Sequence, residues 1–157
     1  MTNDKLQITN LEEGQSLFEL VVAIAISALI IVAMVSLATN SIKNSNYSKN
    51  KALAASYAQE TTEWLRGQRD SNIDSFIISA TTPNWCLANL AFTKPAVNPS
   101  SCTEVIAGTP FRRWVSFSIS VLGGKNVVQA TVTVSWTDSG GVHEVKSATN
   151  FSDWRQR

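Results

Sequence analysis

Histidine occurs once, at position 143, cysteine twice and proline four times among the 157 residues, and each scarcity removes a class of function. A lone imidazole offers no His-x-x-x-His metal pair and little of the usual means of acid–base catalysis, although a carboxylate enzyme would not need it. Two cysteines and that histidine fall short of the four ligands of a structural zinc. Neither sign of charge dominates, with 13 Lys and Arg against 12 Asp and Glu for a net charge of +1. These charges are spread along the chain, so no basic stripe of the kind that tracks nucleic acid stands out. Glycine-rich phosphate loops and the nucleophile elbow are missing as well. The composition therefore points away from an enzyme, and no cofactor or metal is expected.

What is there begins with an apolar run. Glycine and proline are absent from Gln15 to Arg66, so nothing in that stretch breaks a helix. Within it, Leu20 to Ala38 carries no charge, and at ~1.5 Å per residue it matches roughly the 30 Å hydrocarbon thickness of a bilayer. Farther on, Leu53, Tyr57, Thr61, Trp64, Leu65 and Gln68 recur at intervals of three and four, while Lys51, Gln59, Glu63 and Arg66 point elsewhere. One continuous helix from about Ser16 to Arg69 is the economical expectation. The Asn- and Ser-rich stretch from Asn40 to Asn50 is where a kink or frayed turn would fall.

After Gly67 the character changes. All four prolines and both cysteines lie between Thr81 and Pro110, which predicts irregular, surface-running chain. Alternation then sets in: Phe111, Arg113, Val115, Phe117, Ile119 and Val121 share one parity, and Val128, Ala130, Val132, Val134 and Trp136 share another. Gly123-Gly124-Lys125-Asn126 lies between these two runs, and Asp138-Ser139-Gly140-Gly141 leads to a weaker alternation ending at Phe151. The expected fold is α+β, a long N-terminal helix packed on a small antiparallel meander with its third strand at the edge. In residue ranges this is a leader over 1–14, a transmembrane helix half over 15–39, an amphipathic half over 40–70, irregular chain over 71–110 and the sheet over 111–157. Of the five tryptophans, Trp64 and Trp136 are placed in the core by phase. Trp85 and Trp154 fall in less regular chain, and the pair Arg112-Arg113 and the run Arg155 to Arg157 read as solvated.

The segment Gly14-Gln15-Ser16-Leu17-Phe18-Glu19-Leu20-Val21 resembles the processing motif of prepilins: a glycine, a glutamate fifth in the chain that follows it, then an apolar helix. Helix, loop and C-terminal meander in that order also resemble type IV pilins and the pseudopilins of type II secretion. The resemblance implies cleavage after Gly14 by a membrane-embedded prepilin peptidase, with Gln15 as the new and methylated terminus, although the family more commonly has Phe or Met there. It implies that Glu19 is the assembly carboxylate, and that the chain spans the membrane once with its head outside the cytoplasm. Its partners would be membrane lipid, an inner-membrane assembly platform and other pilin or pseudopilin subunits, with DNA or surface binding by the head left open. An ordinary secretory signal has the reverse order, with its cleavage site after the apolar core. The plainer alternative for Glu19 is a glutamate beside the membrane surface on a simple anchor. A head outside the cytoplasm is where a disulfide persists, so Cys86 and Cys102 are candidates to pair, the alternative being two separate buried thiols.

Overall fold

The computed structural model describes the backbone of residues 9–122 and 125–152, and the side chains of 17–121 and 127–152. The expected leader segment 1–8, the turn glycines 123 and 124, and Trp154 with the arginines that follow it lie outside the described residues. The chain divides into two compact units, 1–47 and 48–157.

In the first unit the backbone is helical from Thr9 onward, part of helix α1 (Thr9–Ser71). Its helical turns thus begin ahead of Gly14, where a boundary was expected. Every residue from 17 to 49 is exposed. The backbone stays helical from Asn40 to Asn50, so the frayed turn expected as one possibility there does not occur: with no glycine or proline present, the modest helix cost of each Asn and Ser leaves the hydrogen-bond ladder intact.

The second unit is an α+β domain. The part of α1 from Ser48 to Ser71 is followed by α2 (Ile73–Ala80), β1 (Asn84–Cys86), β2 (Lys94–Pro95), a 3-10 turn (Pro99–Ser101), β3 (Arg112–Leu122), β4 (Lys125–Asp138) and β5 (Gly141–Ser152). The strands form one antiparallel sheet in the order β2-β1-β3-β4-β5. Three strands were expected and lie adjacent, with β5 at an edge; β1 and β2 extend the sheet beyond β3.

The region 71–110, expected to be irregular, contains α2 and these two short strands. Asn72 ends α1 with an extended backbone, and its side chain accepts a hydrogen bond from the Ser75 amide at 3.0 Å, capping α2. Ile73, Phe76 and Ala80 then face the core. The Trp85 indole on β1 donates to the Ser79 carbonyl at 2.9 Å, so α2 and β1 hold each other.

The helix face that meets the sheet is narrower and smaller than its periodicity suggested. Ala54, Ala58, Thr61, Thr62 and Leu65 are buried, whereas Leu53 and Gln68 are exposed. Two alanines keep this face small, and both threonine hydroxyls donate back to helix carbonyls, at Tyr57 and Ala58. Opposite them the inner sheet face supplies Val115, Phe117, Val128, Ala130, Val132, Val134, Trp136 and Phe151. Ring contacts knit the layers: Phe76 to Phe117 and Phe151 at 5.9 and 5.2 Å, and Phe111 to Trp136 at 5.9 Å. Ile119 and Val121, which continue the alternation of β3, run past the core and are exposed.

Arg113 is the exception on the inner face. It is 3% exposed, its Nε donates to the Leu87 carbonyl at 2.8 Å, and a terminal nitrogen meets a Glu60 oxygen at 2.7 Å. The expectation that both Arg112 and Arg113 are solvated is corrected for Arg113. Strand parity sends neighbours to opposite faces, and a carboxylate from α1 makes burial of the inner one tolerable.

Candidate functional site

By length and composition the helical segment from Leu17 is able to cross a membrane, and none of its most apolar stretch is buried in the described chain. Exposed side chains there include Leu20, Ile24, Leu29, Ile31, Val32, Val35 and Leu37. In water so long an apolar surface would be unfavourable by ~25 cal/mol per Å², whereas hydrocarbon removes that penalty.

Glu19 sits in this helix as its first described charge, one turn after Gln15. Gly14 and Gln15 are described by backbone alone, as helix. Among the described residues Glu19 has no hydrogen-bond or ion-pair partner. With Leu20, Ala23, Ile24 and Ser27 it lines a shallow groove on the helix surface. That groove follows from spacing: positions 19, 23 and 27 stack along one face at intervals of four, and two of the three side chains are small. The Ser27 hydroxyl donates to the Ala23 carbonyl at 2.7 Å, and Thr39 does the same to Val35 at 2.8 Å, so these polar groups are satisfied within the helix. Of the polar groups on the groove, the Glu19 carboxyl is the one with no partner among the described residues.

In the second unit, Cys86 at the end of β1 and Cys102 just after the 3-10 turn are joined by a disulfide. It closes the proline-containing loop back onto the sheet. Asn98 caps the 3-10 turn by accepting from the Ser101 amide at 3.1 Å, which sets Cys102 in place.

The single histidine is used at the β4–β5 turn. Gly141 there has φ of 116°, a conformation suited to glycine. The Asp138 carboxylate accepts from the Gly140 amide at 2.7 Å and contacts His143 Nε2 at 2.9 Å. These bonds, that of Gly140 first, hold the Asp138 carboxyl below the ordinary aspartate range. The geometry is that of a braced turn. Among the described residues no group of three or more His, Cys, Asp or Glu side chains is arranged to hold a metal.

No protein-family model matches this chain, and comparison with curated proteins and with solved structures gives no match.

Proposed function

We propose that the chain is a prepilin-like subunit, cut after Gly14, anchored by the apolar part of α1 and assembled into a type IV pilus or pilus-like filament as a minor component. The observation that carries this reading is Glu19 on an exposed apolar helix, five residues beyond Gly14 and without a partner among the described residues. An ionised carboxylate at the bilayer centre costs roughly 2.5–3.5 kcal/mol by insertion scales, less near the edge, so such a position calls for a counter-charge. Cleavage after Gly14 creates one, the amine of Gln15. In a bundle of subunits the Glu19 of one chain pairs with the Gln15 amine of the next, and the unfavourable group in lipid becomes a register lock in the filament.

The small side chains beside Glu19 support this. Ala23 and Ser27 continue its groove, and membrane helices approach most closely where such residues lie. The α+β head outside the membrane segment supplies the surface the filament would display. The prepilin peptidase, the assembly platform and sister subunits are the partners this function requires, and a secretion pseudopilus would use the same lock.

Replacing Glu19 by Ala tests it. The E19A chain is expected to be processed and membrane-bound as before, yet recovered in sheared filaments at no more than roughly a tenth of the normal amount, in keeping with loss of a ~2 kcal/mol preference for the paired state. Incorporation at the normal level would remove the proposed role.

A further inference from the structure

The outer face of the sheet carries a cleft that the anchor and the filament lock do not use. Strand alternation puts Arg112 and Trp114 together on this face of β3, opposite the buried Arg113 and Val115. The ladder extends the pattern sideways: Arg112 lies beside Ser135 of β4, and Ser135 beside Glu144 of β5. The 3-10 turn borders the other side, tied down through Cys102 to Cys86, whose register partner is Trp114. Pro99, Ser100, Cys102, Val142 and these four side chains line a space of about 290 Å³. Ligand pockets begin near ~300 Å³, so one small ring is the size it takes.

Three observations mark it as a place for a ligand. Ser135 is 8% exposed as a residue, and its hydroxyl, which has no hydrogen-bond partner among the described residues, is open to the cleft it lines. A ring entering the cleft displaces water from this hydroxyl and therefore has to bond it in turn. The Arg112 guanidinium is exposed and, among the described residues, makes neither ion pair nor hydrogen bond. Trp114 is half-buried, and its indole contacts no other described ring. Glu144 adds an acceptor; it is paired with Lys146 at 2.8 Å but remains about half exposed.

We propose that this cleft binds a neutral saccharide ring. An anion would face Glu144 and a cation would face Arg112. A purely apolar ligand would cover Ser135 and Arg112 without bonding them, leaving both polar groups stripped of water and unmade. A pyranose suits both the apolar and the polar walls: its C–H faces meet the Trp114 indole and the apolar Val142 and Pro99, and its hydroxyls accept from Arg112, donate to Glu144 and bond Ser135. The inference does not rest on polymerisation, since every residue it uses belongs to the folded head.

The test uses the full chain in lipid nanodiscs free of sugar-headed detergent. Saturation-transfer NMR follows titration with glucose, galactose, mannose, N-acetylglucosamine and their β-linked dimers, with inorganic phosphate as the charged comparison. Saturable binding of at least one neutral sugar is expected in the millimolar range. Trp114→Ala and Arg112→Ala should each weaken it at least about tenfold, as loss of the stacking face or the principal donor would. Gln129→Ala, exposed on the same face but outside the cleft, should leave it unchanged. No saturable sugar binding up to about 50 mM, far beyond the concentration that fills a millimolar site, overturns the proposal. So does binding of phosphate alone, or sugar affinity that persists in Arg112→Ala, whose exposed position keeps the fold intact if Trp114→Ala does not fold.

Discussion

Arg112 and Arg113 are neighbours with opposite fates, and the difference comes from one strand period. Arg112 faces out. Arg113 faces the core, where the Leu87 carbonyl and Glu60 share its guanidinium. Breaking a fully buried pair by removing one partner costs about 3–5 kcal/mol, but Glu60 is half exposed and water replaces part of what it supplies. Glu60→Ala is therefore expected to destabilise the head by about 1–2 kcal/mol, read from the urea midpoint of tryptophan fluorescence at an unchanged slope. A change within about 0.3 kcal/mol would show that Arg113 is satisfied by Leu87 alone. The parity of Arg113 was visible in the alternation Phe111, Arg113, Val115. What could not be read was its partner, because Glu60 lies far back in the chain and reaches β3 only through the packing of α1.

Secondary structure was legible in proportion to how much each segment owes to its own pattern. The long helix and the three long strands carry many repeats of their period, and they stand where periodicity put them. Helix α2 has only eight residues and β1 only three. Segments that short are marginal alone and depend on tertiary bonds such as Trp85 to Ser79. A local signal did exist: Asn72 followed by the spacing Ile73, Phe76, Ala80 is a capped amphipathic turn. At its N-terminal end the buried helix face starts at Ala54, not Leu53, and continues through Ala58, Thr61 and Leu65, since a spacing of three and four leaves the starting position open by one residue. The loop between β1 and β3 has little regular structure, so the Cys86–Cys102 disulfide bears much of its order. The double variant Cys86→Ser, Cys102→Ser should lose about 3 kcal/mol, the chain-entropy value for a loop of this length. Because that loop also borders the sheet's outer cleft, the loss should be accompanied by faster amide exchange at Ser100 and Trp114. Unchanged stability would mean the turn is held by Asn98 and the ladder without the covalent tie.

Two physical regimes meet in this chain: a helix segment whose exposed side chains suit hydrocarbon, and a head whose core is closed by aromatic contacts between layers. Glu19 is the group that belongs to neither. It is a carboxyl group where the neighbouring side chains are apolar, and no described residue answers it. The apolar run and the spacing from Gly14 to Glu19 were plain in the sequence, since both depend only on local order. The event that would supply the missing positive charge is a covalent one, invisible to folding physics, and the proposed function stands on it. Intact mass and N-terminal sequencing of the protein purified from cells that contain a prepilin-type peptidase measure that event directly. The mature chain is expected to begin at Gln15, with the fourteen residues through Gly14 removed; a chain that still begins at Met1 in those cells would contradict it.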